Sequence, residues 1–279
     1  MMRRNEVHIR DPFVLKESGK YYLYGTEGVN AWGGKALGFF VYVSEDLENF
    51  ERKCVFTPST TFWADEHYWA PEVHKIDEKF YMFASFHKEG CLRRSQILVC
   101  DKPDGTFLPL NEPLTPPDLQ CLDATYFNDG KKQYTIFCHE WVQCQDGEMC
   151  LVEIDENFKI CSPVQVLFHA SEAPWTQSFD GNNYITDGPF IYRLKNGNLL
   201  MLWSSHSPTG YAMGMAVADK IQGPWKHIAK PLISSDGGHG MIFEDGDKLF
   251  LTYHMPNNSP MERPFFVEIY EEDGILKLK

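Results

Sequence analysis

The sequence predicts an all-β chain folded as a five-bladed β-propeller, and three observations carry that expectation. One hairpin pattern occurs five times along the 279 residues, its recurrences are spaced in the fifties, and no stretch reads as a long amphipathic helix. Each unit opens on an acidic or small residue, continues as an apolar run, breaks at a turn rich in Lys, Asp and Gly, and closes on a second aromatic-rich run. The units are His8 to Thr26, Trp69 to Ser85, Leu122 to His139, Thr186 to Ser205 and Gly238 to His254. Aligned on their opening residues, Asp11, Ala70, Asp123, Asp187 and His239 are equivalent, at gaps of 59, 53, 64 and 52 residues. Units of this kind cannot bury their faces alone and stack around an axis. A β-sandwich is the alternative, but its strands follow one another every 8–12 residues without a longer repeat. The whole chain, 1–279, therefore reads as a single propeller domain.

In chain order, the first hairpin leads into a Gly-rich loop, Glu27 to Leu37, that carries Trp32. Phe39 to Ser44 alternates as a third strand, and a turn at 45–52 leads to the outer one. Thr57 to Tyr68 is a loop into the second unit, which continues through Gln96 to Cys100. Leu108 to Asp118 holds four prolines and no periodicity, so it is an irregular connection. The third unit runs on to Leu151–Ile154. Phe168 to Tyr184 is the longest insert, polar and aromatic, and inserts of this kind build pocket walls around a propeller mouth. The fourth unit includes Tyr211 to Ala218, and the fifth ends with Glu262 to Tyr270.

A net charge of −13 argues against nucleic acid or an anionic membrane as the main partner. No run of about 18 apolar residues could span a bilayer, and the start of the chain lacks the apolar core of a signal peptide, so a cytoplasmic location is expected. The eight cysteines contain no CxxC pair, and several sit inside apolar strand patterns, which suits reduced structural thiols in a reducing compartment. Protein partners are not legible.

In a propeller the innermost strands line the axis, so equivalent opening positions converge. Here they supply Asp11, Asp123, Asp187 and His239. Three acids in a low-dielectric channel repel unless one holds a proton. Splitting carboxyl proton affinities in this way is what general acid/base hydrolysis of a glycosidic bond needs. Elbow serines, phosphate loops, HExxH and dinucleotide fingerprints are absent. His239, between glycines, is a candidate ligand for a central metal or a partner for a carboxylate; a purely structural role is the alternative. Aromatics make up 14% of the residues. Trp69 and Trp141, then Trp32, are expected to face an oligosaccharide, while Tyr68, Trp175 and Trp203 read more as core. His139 is read as pocket-lining, with packing as the equal alternative, and Arg263 as a partner for a sugar hydroxyl or for surplus acids.

With those residues in place, the chain resembles family 43 of the glycoside hydrolases, five-bladed propellers that act by inversion on arabinose- and xylose-containing glycans. The resemblance spans all five units. Arg10-Asp-Pro-Phe13 is similar to the motif holding the general base, which implies that role for Asp11. Trp69-Ala-Pro-Glu72 resembles the segment whose Trp borders the sugar. Leu122-Asp-Ala124 falls where the family keeps the Asp that tunes and holds the acid, implying that role for Asp123. Gly238-His-Gly240 is similar to the central histidine segment, sometimes associated with calcium. No cofactor is implied as required; calcium at the centre is the possible exception.

Blade four departs from the pattern. The family's acid is the Glu of Glu-Gly-Pro, and this chain has Asp187-Gly-Pro189, shorter by one methylene, about 1.5 Å. Three readings stand: Asp187 is the acid in a narrowed pocket, Glu172 reaches in from the long insert, or the site binds glycan without cleaving it. The resemblance implies an exo-acting α-L-arabinofuranosidase or β-xylosidase, with a related galactosidase or a non-catalytic carbohydrate-binding propeller as alternatives.

Overall fold

A computed structural model describes residues 1–27 and 31–279; the Gly28–Asn30 part of the expected Gly-rich loop lies outside the described residues. The described strands form five antiparallel sheets, each built from consecutive strands, and the architecture is a five-bladed β-propeller. Blade one runs outward through β2 (Ile9–Glu17), β3 (Lys20–Glu27), β4 (Phe39–Ser44) and β5 (Asn49–Phe56), with β1 (Met2–Arg3) added outside β5. Blade two is β6 (Glu66–Ile76), β7 (Lys79–His87), β8 (Arg94–Cys100) and β9 (Leu108–Pro109). Blade three is β10 (Cys121–Asn128), β11 (Gln133–His139), β12 (Glu148–Ile154) and β13 (Gln165–His169). Blade four is β14 (Asp187–Arg193), β15 (Leu199–Ser207), β16 (Gly210–Ala218) and β17 (Lys226–His227). Blade five is β18 (Gly238–Asp245), β19 (Lys248–Met255), β20 (Arg263–Glu272) and β21 (Ile275–Leu278).

All five predicted hairpins are the two innermost strands of a blade. Their turns fall on Ser18-Gly19, Asp77-Glu78, Asp129–Lys132, Lys195–Gly197 and Gly246-Asp247, where short polar residues and glycine accept the tight reversal. β6 starts at Glu66, inside the stretch expected to be loop as far as Tyr68. The irregular stretch at 108–118 contributes only the two-residue β9.

Apolar side chains pack between neighbouring sheets. Blades one and two share a cluster containing Tyr24, Phe39, Phe50, Val73 and Phe86, which also takes in Met241 and Phe243 of blade five. Trp175 and Trp203 are buried between blades three and four, as the core reading expects. Gly214 makes room for Trp175, since a Cβ there would lie 2.3 Å from the indole.

Among the described residues, no strand is exchanged to close the ring. Blade five meets blade one through side chains: Arg10 Nη1 donates to Glu262 Oε1 (3.0 Å), Arg10 Nη2 to Asn257 Oδ1 (3.0 Å), and Arg263 Nε to the Asn5 carbonyl (2.7 Å).

Candidate active site

Each innermost strand carries the same irregularity. Pairing with the second strand slips between Arg10 and Phe13, Trp69 and Glu72, Leu122 and Thr125, Asp187 and Phe190, and Gly238 and Met241. The first residue inside each bulge adopts left-handed backbone: Asp11 (φ 54), Ala70 (46), Asp123 (54), Gly188 (53) and His239 (47). Four of these are not glycine, and such residues cost about 1–3 kcal/mol each, a strain that collects at functional sites.

The bulges correct the alignment made from sequence. Asp187 is not equivalent to Asp11 and Asp123; Gly188 is. Asp187 pairs with Ser204 as Arg10 pairs with Thr26, Trp69 with Ser85, Leu122 with Cys138 and Gly238 with His254, so it belongs to the preceding ring of positions.

Those second-strand partners tie each blade to the next. Thr26 Oγ1 accepts the Ala70 N–H (2.8 Å), Ser85 Oγ the Asp123 N–H (2.8 Å), Ser204 Oγ the His239 N–H (2.8 Å) and His254 Nδ1 the Asp11 N–H (3.1 Å). At the remaining joint the partner is Cys138, whose thiol is a weak acceptor. There the Gly188 N–H turns to Asp123 Oδ2 (3.0 Å).

The bulges also bring the acids together with one base. Asp11, Asp123, Asp187 and His239 all line one cavity of about 320 Å³. His239 Nδ1 lies 3.2 Å from Asp11 Oδ1 and 3.6 Å from Asp123 Oδ2. Burial opposes charge on this imidazole, but Asp11, Asp123 and Asp187 outweigh it and raise its proton affinity. Burial likewise opposes charge on Asp11, yet His239, Arg10 and His254, with the Thr26 hydroxyl donating at 2.7 Å, lower its pKa to about 2. Asp123 and Asp187 move the other way: burial, with their carboxylate neighbours, raises both despite His239. Tyr211 donates to Asp187 Oδ2 at 2.9 Å. The site therefore holds one firmly ionised carboxylate beside two that retain a proton more readily.

Aromatic side chains wall the cavity. Trp69 meets Trp32 edge to face (centroids 5.2 Å apart) and donates from Nε1 to the Ala31 carbonyl (2.6 Å). Trp141 and Phe179, also edge to face at 4.8 Å, line the same cavity. Trp32 is 59% exposed, at the rim. The Arg10 guanidinium lies over Trp32 (4.6 Å) and that of Arg93 over Trp69 (4.1 Å).

The structure brings three further expected residues elsewhere. Glu172, the alternative acid, is exposed on a short 3₁₀ turn and accepts the His169 N–H (2.9 Å), outside the cavity. His139 faces Glu148 and Gln143 (2.7 and 2.8 Å), so packing is its role, and its neighbour Glu140 lines the cavity instead. Arg263 binds Asn5, His8 and the Glu262 carbonyl at the seam between blades five and one. The sequence reads His139-Glu140 together as pocket-lining, and Glu140 does line the cavity; missed were Arg93, its buried ion-pair partner, and Phe179. Phe179 was findable as an exposed aromatic on the insert expected to build a wall, whereas no local signal marks the Arg93–Glu140 pair.

A metal at His239 does not fit these residues. The His239 Nδ1 faces Asp11 Oδ1 (3.2 Å) and Asp123 Oδ2 (3.6 Å) instead of an open position. Calcium seeks six to eight oxygen ligands, whereas Asp11 Oδ2, Asp123 Oδ2 and Asp187 Oδ2 already accept hydrogen bonds from Thr26, Gly188 and Tyr211.

The comparisons agree with this geometry. The endo-arabinase of Bacteroides thetaiotaomicron has a solved structure that superposes with a TM-score of 0.89 at 35% identity, covering 98% of each chain. The extracellular exo-α-(1→5)-L-arabinofuranosidase of Streptomyces chartreusis is 28% identical over 214 residues, 67% of this chain and 62% of its own length. A xylosidase/arabinosidase of Bacteroides ovatus is 27% identical over 141 residues, 47% of this chain and 43% of its own length. The chain thus aligns with less than two thirds of either curated relative. Glycosyl hydrolases family 43 is matched across residues 5–272, nearly end to end and through all five blades, and the chain belongs to that family.

Proposed function

We propose that this protein is an inverting exo-glycosidase that releases arabinosyl or xylosyl units from short oligosaccharides, with arabinosyl the better substrate. The observation that supports it most is the split among the cavity carboxyls: Asp11 is held ionised while Asp187 is raised, as a base and an acid require. Asp11 takes a proton from the attacking water while Asp187 gives one to the departing oxygen; the C–O bond to the leaving group breaks as the water oxygen bonds the anomeric carbon from the other face. His239, with Arg10 and His254, keeps Asp11 ionised. Asp123, bonded to the Gly188 N–H, holds the backbone beside Asp187, and Trp69 and Trp141 take the apolar face of the sugar. No metal is needed in any step.

The cavity supports exo action, because about 320 Å³ lies at the small end of small-molecule sites. Eight unpaired cysteines support a reducing, cytoplasmic setting.

Linear arabino-oligosaccharides, xylo-oligosaccharides and galacto-oligosaccharides offered to wild type, Asp11→Ala and Asp187→Asn test this reading. Expected are single arabinose units as first product, the inverted anomer in early NMR spectra, and at least a 100-fold loss in both variants. A ladder of oligosaccharides would instead mark an endo-enzyme. Sugar binding without turnover would mark a carbohydrate-binding propeller.

A further inference from the structure

Tyr211 stands on β16, the third strand of blade four, and is 5% exposed. Its ring occupies the space that a side chain at position 238 would fill: a Cβ on Gly238 would come within 2.7 Å of the Tyr211 ring. Gly238 is the blade-five member of the ring of positions that holds Arg10, Trp69, Leu122 and Asp187. Tyr211 thus supplies from blade four the fifth side chain of that ring. On its other flank the ring stacks on His254 (centroids 5.6 Å, 20°), which is itself fixed between the Asp11 N–H and Asn257. Held on both flanks, the phenol has, among the described residues, one hydrogen-bond partner, Asp187 Oδ2 at 2.9 Å.

We propose that Tyr211 is a positioning residue for proton donation by Asp187, holding one carboxyl oxygen so that the other is presented to the glycosidic oxygen. This rests on the reading of Asp187 as the acid. It gives the short side chain a physical justification: a carboxyl lacking one methylene has less reach, and clamping it in one rotamer replaces reach with orientation. The other titratable groups acting on or from Asp187 are Arg10 and Asp11 of β2, Arg93 beside β8, Asp123 of β10, Cys138 of β11 and His239 of β18. Among the described residues, none of these groups hydrogen-bonds to its carboxyl oxygens. A phenol O–H donating to a carboxylate favours the ionised form, so losing it raises the proton affinity of Asp187 further.

Tyr211→Phe, Asp187→Asn and the double variant are assayed against pH on an arabino-oligosaccharide and on a dinitrophenyl arabinoside, whose leaving oxygen needs no proton. For Tyr211→Phe, kcat on the oligosaccharide falls about 10- to 100-fold with KM within twofold, the aryl substrate is turned over within about twofold of wild type, and the alkaline limb of kcat moves to higher pH. In the Asp187→Asn background the added Tyr211→Phe causes no further loss. Equal losses on both substrates, an unmoved alkaline limb, or a further loss in the double variant each overturn the proposal. Wild type inactive on every substrate overturns the glycosidase reading instead. Melting curves of the variants identify any that fail to fold; the unpaired Asp187→Asn comparison then decides.

Discussion

Thr26→Val removes two bonds with one near-isosteric change. The Thr26 hydroxyl, 1% exposed, accepts the Ala70 N–H at 2.8 Å and donates to Asp11 Oδ2 at 2.7 Å. Valine keeps the volume, so packing is nearly constant. It leaves the Ala70 amide buried without an acceptor, at about 1–3 kcal/mol, and deprives a buried carboxylate of a charge-assisted bond worth about 1.5–3 kcal/mol. We expect a loss of about 3 kcal/mol, which lowers Tm by about 5 °C for a chain this long. The second bond also sets proton affinity. Asp11 falls from 3.8 to about 2, equivalent to roughly 2 kcal/mol in favour of the ionised form. Because its folded value lies below its unfolded one, that stabilisation is present above about pH 4 and fades as the pH falls towards 2. Without the Thr26 bond the folded value rises, and the acid limb of kcat/KM moves up with it. Denaturant unfolding at pH 7 and kcat/KM between pH 3 and 6 measure the two effects. A stability change below about 0.5 kcal/mol together with an unmoved acid limb would refute the placement of both bonds.

Two substitutions separate the acid from its rival and test the strained ring. Glu172→Ala should leave kcat/KM on oligosaccharides within twofold and lower stability by about 1 kcal/mol through loss of its bond to the His169 N–H; a 100-fold loss of activity would return Glu172 to the site. Gly188→Ala places a Cβ 2.7 Å from the His239 ring on backbone at φ 53, so stability should fall by about 2–4 kcal/mol and turnover with it. An alanine variant with wild-type Tm and kcat would contradict the placement of His239.

The blades were legible because each hairpin repeats a period-2 pattern around a polar turn, and that local chemistry survives in the fold. Asp11, Asp123 and His239 were legible for the same reason. Asp187 was aligned one position out because the match was made on the acid itself. Prolines carried the better register: Pro12, Pro71 and Pro189 each follow the left-handed residue of their bulge, which places Gly188, not Asp187, beside Asp11. Glu172 looked available because a sequence does not show which face of a long insert turns inward. The insert instead sends Phe179 to the cavity and Trp175 into the core. Arg93 and Glu140 flank strands of different blades, and Tyr211 reaches Asp187 from two strands away in the same blade, so no local pattern encodes either meeting.

The joint between blades three and four carries an implication for how a propeller of this build diverges. Elsewhere a hydroxyl or a ring nitrogen holds the next blade, whereas here the carboxylate of Asp123 does so while also sitting beside the chemistry. A lineage that abandoned turnover and kept only glycan binding would still be under pressure to retain Asp123, since dropping it unpins the Gly188 amide. Asp11 and Asp187 have no such second employment, because among the described residues no backbone amide donates to either carboxyl. Of the acids in the cavity, then, persistence of those two is the informative trace of a working hydrolase, and persistence of Asp123 alone is not.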